Sequence, residues 1–381
     1  MQVKRLNATH YDEILSLLNA VFTKQNKREM DFEKEIPKMC VRDDEHMGCH
    51  FGIFEDGKLV ACMGVYPFDV MVAGVKLRFA TTGNLAVHWD YEGRGYMGAL
   101  FDMAMAELDR LDIDVARLGG LRSRYNRYGF EACGQEYSFT FTEKNRTRKF
   151  PNYNGGIIFA EIGAEDSEAL AFATSLYNKN AISLPRTVEN TYQTMTTWKS
   201  IPYIALRNNE MIGYLCARVS KPKVSEFDAV DISSMTDIIC AWQERVGDDV
   251  IFSSQPHRTE VIRVLSTVCE SSIIASPSHF KIRNWAKAID AFFKLKASYS
   301  QVIKGELRIG ISDYGTVCLY SDGKGCVGCR DCEEAPDVTL DTLSAARYIF
   351  GPYPPVCTAH TTANADAWLP LPLSWNTLDR V

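Results

Sequence analysis

Long apolar runs are missing from this sequence. No stretch approaches the ~18 consecutive apolar residues that span a bilayer, and the opening MQVKRLNATHYDE lacks the apolar core of a secretion signal. A cytoplasmic protein that does not use a membrane as partner is the expectation. Charge of one sign is missing as well: 42 basic and 48 acidic residues are interspersed, for a formal net charge of -6. No basic surface large enough to hold nucleic acid shows at the level of composition, so nucleic acid is not an expected partner. The 12 cysteines do not read as a disulfide framework either. Most lie inside apolar runs (Cys62 in LVACMGV, Cys216 in GYLCARV, Cys240 in DIICAW), where a free thiol packs as a small hydrophobe.

What is there has the balance of an ordinary globular protein. Hydrophobic residues at 46% and charged residues at 24% exclude wholesale disorder. A chain of 381 residues exceeds one typical domain of ~100 to 200 residues, so two or three are expected.

The first unit opens with a strand at Val3 to Leu6. Thr9 and Asp12 then resemble a capping box ahead of a helix whose apolar residues Ile14, Leu17, Leu18 and Val21 share one face. In HFGIFEDGKLVACMGVYPF, Asp56 and Gly57 separate two apolar runs, the signature of a tight hairpin. Val75, Leu77 and Phe79 alternate with polar or small residues, and NLAVHW at 84 to 89 reads as a further strand. Next comes YEGRGYMG, then a helix with Met97, Leu100, Ala104, Leu108 and Leu111 on its inner face. A strand followed by a glycine loop and a helix is a phosphate-binding arrangement. Several backbone N–H groups must converge on a diphosphate, glycine lets the backbone come close, and the helix adds the positive end of its dipole. Gly93, Arg94, Gly95, Tyr96, Met97 and Gly98 can supply those amides.

A boundary is expected in the polar stretch RKFPNYNGG at 148 to 156. Beyond it a helix from about Asp166 to Asn178 precedes PYIALRNNEMIGYLCARV, which parallels HFGIFEDGKLVACMGV. The middle third therefore reads as a divergent repeat of the first. It has no glycine from Tyr214 to Val246, where the equivalent loop belongs. A third unit begins near His279, with a helix placing Trp285, Ala288, Ile289 and Phe292 on one face, then alternating strands. The tail from Gly351 holds PYPP and LPLPL, too rich in proline for a helix or central strand, and should wrap the surface or enter a cleft.

NLAVHWDYEGRGYMGAL, joined to RYNRYGF some 30 residues later, resembles the GNAT superfamily of N-acetyltransferases. In that superfamily a strand precedes a loop of pattern Arg/Gln-x-x-Gly-x-Gly/Ala, and a later Tyr-x-x-x-Gly-Phe carries a catalytic tyrosine. Glu92 and Met97 depart from the first and last positions of the loop pattern. The duplication, the third unit and the length narrow the resemblance to the enhanced intracellular survival (Eis) family. The resemblance implies an α+β protein with two tandem acetyltransferase-type domains, the second degenerate, and a sterol-carrier-protein-like C-terminal domain. The corresponding spans are 1–150, 151–278 and 279–381, and the family forms hexamers, so a homo-oligomer is expected.

The resemblance further implies acetyl-CoA as co-substrate, with Leu85, Ala86 and Val87 pairing with the pantetheine and the loop from Gly93 to Gly98 on the pyrophosphate. Tyr125 takes the place of the catalytic tyrosine, with Tyr128 its local competitor. A phenol with pKa ~10 stays protonated at neutral pH and can protonate a departing thiolate. The Val381 carboxylate takes the place of the general base. The expected reaction is direct acetyl transfer to a primary amine of a small cationic compound, an aminoglycoside-like compound or a lysine side chain. A non-catalytic acyl-CoA or lipid-binding protein is the alternative, with Glu92 as its supporting feature. Cys326, Cys329 and Cys332, with Cys357 and His360, could be drawn as a zinc site. The thiols read instead as flanking a turn between strands, and no metal is expected. His88, after the cofactor strand, reads as structural.

Overall fold

The computed structural model describes residues 3–218 and 222–379. Among them the strands form three sheets, and no helix is long and apolar enough to cross a membrane. The chain is a mixed α/β protein.

The first sheet has eight strands. It runs Val3–Arg5, His50–Glu55, Lys58–Val72, Val75–Val87, Val115–Leu118, Ser278–Ile282 and Glu131–Cys133, with Ile182–Ser183 beside Lys58–Val72. Asp56 and Gly57 make the expected hairpin turn, both at positive φ as a tight two-residue connection requires. The helix Tyr11–Asn26 covers one face with Ile14, Leu17, Leu18 and Val21. Its entry differs from the expectation: a 3₁₀ turn, Ala8–His10, precedes it, capped by Asn7, which accepts from the Thr9 N–H and closes a box with His10, while the helix itself starts after His10 with no side-chain cap. The helix Tyr96–Arg110 covers the other face, burying Leu100, Phe101, Ala104 and Leu108 against Phe51, Ile53 and Ala80.

The second sheet has seven strands, in the order Ser271–Ala275, Glu136–Phe141, Val250–Ser254, Lys223–Ala229, Glu210–Arg218, Ile201–Arg207 and Ile157–Glu161. The third has four, Val327–Cys332, Gly315–Ser321, Gly305–Ile311 and Val338–Leu340, under the helix Trp285–Tyr299.

Two strands cross the linear division at 150 and 278. Glu136–Phe141, which precedes the first boundary, lies inside the second sheet between Val250–Ser254 and Ser271–Ala275. Ser278–Ile282 returns to the first sheet between Val115–Leu118 and Glu131–Cys133. Alternation in YSFTFT tells which face is apolar but not which sheet receives it. Phe139 and Phe141 are buried in the second core and Phe280 in the first and third, each burial stabilising by roughly 1.5–3 kcal/mol. The exchange ties the units into one body.

The tail does both things expected of it. Tyr353 and Val356 are exposed, whereas Leu369, Leu371, Leu373, Trp375 and Leu378 are buried. Gln135 N–H donates to the Leu373 carbonyl at 2.8 Å, and Trp375 stacks on Phe79 with ring centroids 5.1 Å apart.

Candidate active site

The site is set by where pairing stops. Val75–Val87 runs parallel to Val115–Leu118 only at Phe79, Ala80 and Thr81, the last opposite Arg117. Beyond Thr81 the two strands part, so among the described residues the side of Leu85, Ala86 and Val87 that faced the neighbour carries no strand, while their other side remains paired through Ala86 with Cys62 and Val87 with Ala61. Between those pairs and the pair of Gly64 with Gly83 the register shifts, and Asn84 takes a positive φ of 53°. This is a β-bulge, which bends a strand and re-aims its edge.

A buried chain of polar groups holds that bulge. Asn84 Nδ2 donates to the Tyr66 hydroxyl at 2.6 Å, and the hydroxyl, having one proton, donates it to His50 Nε2 at 2.9 Å. His50 Nδ1 then carries the other proton toward the Met47 carbonyl at 3.3 Å. The Tyr66 ring lies over Gly64, where an added Cβ would sit 2.1 Å from its hydroxyl. The sequence does flag this place, since Gly83 and Asn84 inside a strand pattern are a bulge signal. The partners Tyr66 and His50 carry no such mark.

His50 is enclosed, and burial pushes its imidazole down to about 4 from 6.5. The unfolded chain therefore binds more protons between those values, and the stability that neutral His50 supports is whole above 6.5 and lost as pH falls toward 4. We expect urea unfolding at pH 4.5 to show a loss of roughly 2 kcal/mol from this group relative to pH 7. His50→Gln should lack that share of the acid sensitivity. An identical pH dependence in the variant would remove His50 as its source.

From Val87 the chain passes a short turn, Trp89–Tyr91, and enters the glycine loop. Gly93 and Gly95 both have positive φ, 77° and 80°. Gly95 is the N-cap of the helix Tyr96–Arg110, which has no side-chain cap, and its first internal backbone bond is Ala99 N–H to the Gly95 carbonyl at 3.2 Å. The preceding amides of the first turn, those of Tyr96, Met97 and Gly98, are the orphan donors every helix start leaves. Here they meet the positive end of a 15-residue helix beside the free strand edge. The side chains face elsewhere: the Tyr96 hydroxyl donates to Glu55, Met97 packs against the core, and Arg94 lies over the Tyr91 ring. Glu92 is exposed. His88 stacks on Trp89 and accepts from Asp90 N–H, a turn-building role.

Tyr125 ends the short helix Arg122–Tyr125. Its ring packs on Phe101, with centroids 5.3 Å apart, and against Gly120, just after the strand Val115–Leu118. It therefore sits between the helix that carries the loop and the strand that has parted from Val75–Val87. Tyr128 stacks on Phe101 more closely, at 4.2 Å, but its hydroxyl is occupied by an Arg127 donor at 3.1 Å. The structure thus brings together residues 85 to 87, the loop at 93 to 98 and Tyr125. Val381 lies outside the described residues. Among the described residues, no three of histidine, cysteine, aspartate and glutamate gather as a metal site, and Cys329 and Cys332 fall on opposite faces of the strand Val327–Cys332.

The model of the acetyltransferase (GNAT) domain matches residues 2–133, which hold every one of these elements. This span is a GNAT acetyltransferase domain. No curated protein matches the chain. Among solved structures, a GCN5-related N-acetyltransferase from Anabaena variabilis is similar at a TM-score of 0.67 and 14% identity, covering 98% of each chain. A GCN5-related N-acetyltransferase from Kribbella flavida gives 0.66 and 14%, covering 100% of this chain and 98% of its own. Eis1 from Mycobacterium abscessus gives 0.66 and 12%, covering 99% and 98%. At these identities the likeness is one of fold, and it runs through all three sheets.

Proposed function

We propose that the acetyltransferase domain moves an acetyl group from acetyl-CoA directly to a primary amine. The observation that carries this reading is the free edge of Leu85, Ala86 and Val87 running into an uncapped helix whose loop holds Gly93 and Gly95 at positive φ. An edge of that kind can pair with the two amides of pantetheine as an added strand does, and the amides from Gly93 to Gly98 can bind the pyrophosphate.

In this reading Tyr125 is the general acid. As the amine nitrogen bonds to the thioester carbonyl carbon and the C–S bond breaks, the Tyr125 hydroxyl gives its proton to the leaving sulfur. The hydroxyl has no competing partner among the described residues. The Val381 carboxylate takes a proton from the nitrogen. Holding both reactants in place supplies most of the barrier reduction, and no covalent enzyme intermediate is needed. The acceptor class is a small cationic amine, an aminoglycoside-like compound or a lysine side chain.

We also assign residues of the middle span to a second, degenerate acetyltransferase-type unit. Its order of strands and helices repeats that of the first, with Lys223–Ala229 parallel to Val250–Ser254, but Asp231 caps its helix Ile232–Val246 by accepting from the Ser234 N–H at 2.7 Å. A carboxylate already occupies the place of a phosphate. The third unit is assigned as sterol-carrier-like and as the source of the tail.

Incubating the protein with acetyl-CoA and a panel of polyamines, aminoglycosides and lysine peptides should release free thiol, with acetyl-amine products of matching mass. Tight acetyl-CoA binding with no thiol release above the hydrolysis background across the panel would favour a binding protein instead.

A further inference from the structure

The second unit keeps a cleft for which its helix no longer has a phosphate loop. Its parallel strands pair only at Lys223 with Ile251 and Val224 with Phe252, then part, as the first unit's strands part after Thr81. Ser225 and Glu226 on one strand face Ser253 and Ser254 on the other across a small cavity. Trp375, Asn376 and Thr377 of the tail line it as well, beside Glu136, Gln255 and Arg258. The hydroxyls of Ser225 and Ser253 are buried there without a hydrogen-bond partner among the described residues.

Around this cavity the tail is held by charge. Arg186 donates through Nη1 and Nη2 to both oxygens of Glu226 at 2.7 Å, and through Nη2 to Asp379 at 2.8 Å. The Tyr177 hydroxyl donates to the second Asp379 oxygen at 2.5 Å, and its ring lies under the guanidinium. Asn376 Nδ2 donates to Glu226 at 2.6 Å, and the Tyr214 hydroxyl to the same carboxylate at 3.0 Å. Arg186, Glu226 and Asp379 are each at least 95% buried. On the other side Lys38 Nζ, from the first unit, donates to the Leu378 carbonyl at 2.5 Å. A buried pair with these extra hydrogen bonds fixes geometry more than it adds stability. What it fixes here is the last described stretch of the chain, at a point where both acetyltransferase-type units meet it.

We propose that the cleft of the second unit has become the seat of the chain's own C-terminal segment. Arg186, Glu226 and Tyr177 are its positioning residues, holding residues 376–379 so that the end of the chain is delivered to the first unit's site. The seat stands on the contacts above; its effect on turnover rests on the reading of Val381 as base.

The test uses the full chain with Asp379→Asn and, separately, Asp379→Ala, which leave the Arg186 and Glu226 pair intact, and Asp379→Glu as the conservative rescue. Three quantities are read: hydrogen exchange of the Leu378 and Asp379 amides, kcat with a responsive amine, and acetyl-CoA affinity. Losing charge-assisted hydrogen bonds at the seat should speed exchange of those amides by roughly 10-fold or more. We expect kcat to fall by a similar factor, acetyl-CoA affinity to hold within about 2-fold, and Asp379→Glu to recover much of both losses. Amides that exchange as slowly in both variants as in the parent would overturn the seat, whatever the rate. Faster exchange with kcat unchanged would uphold the seat and instead remove the chain terminus from the reaction.

Discussion

Gly95→Val should abolish acetyl-CoA binding while leaving the protein folded. At φ of 80° the Gly95 backbone is in the left-handed region, where a β-branched residue is strained. An added Cβ there meets nothing within 4 Å, so the core is not disturbed and the cost to folding should stay near ~1–2 kcal/mol. The loop has a cheaper response, which is to leave that conformation, and the amides from Gly95 to Gly98 then lose their common aim. A side chain also stands where the pyrophosphate must approach. Together these should weaken binding on the order of 100-fold or more by titration calorimetry. On the proposed assignment of the middle span the parent chain should bind one equivalent, because Asp231 already caps the start of the helix Ile232–Val246. Parent-like affinity in Gly95→Val would sink the phosphate-loop assignment, and two equivalents in the parent would sink that of the second unit.

Tyr125→Phe should leave acetyl-CoA binding intact and cut kcat by roughly 10²- to 10⁴-fold, the usual worth of a positioned general acid. The substitution keeps the packing on Phe101 and removes a hydroxyl that bonds to nothing else in the described residues, so stability should hardly move. Tyr128→Phe, which loses only the Arg127 contact, is the comparison and should retain most of its activity. Deleting residues 380–381 should lower kcat strongly as well. Combined with Tyr125→Phe, the loss should be much less than the product of the two, since groups acting in one transition state are not additive. Full turnover in Tyr125→Phe alongside a damaged Tyr128→Phe would exchange the roles of the two phenols.

The strand, loop and helix around Gly95 could be read from residue types because each part is local. Alternation marks Val75 to Val87, glycines mark the loop, and spacing of three and four marks the helix face with Leu100, Ala104 and Leu108. The hairpin at Asp56 and Gly57 followed in the same way. The helix entry at Asn7 did not, because Asn7, Thr9 and Asp12 are all competent caps and only the path of the chain selects among them. Tyr66 and His50 were invisible for another reason. Both sit in ordinary strand patterns, and their joining to Asn84 depends on neighbours 16 to 34 positions away meeting across two registers.

The sequence by itself determined the local elements of the acetyltransferase domain, the order of its strands and helices, and the absence of glycine from Tyr214 to Val246. These follow from periodicity, turn chemistry and capping, which act over a few residues. Only the tertiary structure decided that Glu136–Phe141 and Ser278–Ile282 trade sheets, that the parallel strands part at Thr81 and Val224, and that Asp379 meets Arg186 across 193 positions. A period of two states which side chains share a face, but backbone edges are chemically alike, so strand partners are chosen by which buried faces fit. Ionic partners so far apart are likewise chosen by where packing leaves them, once burial makes an unpaired charge too costly to keep.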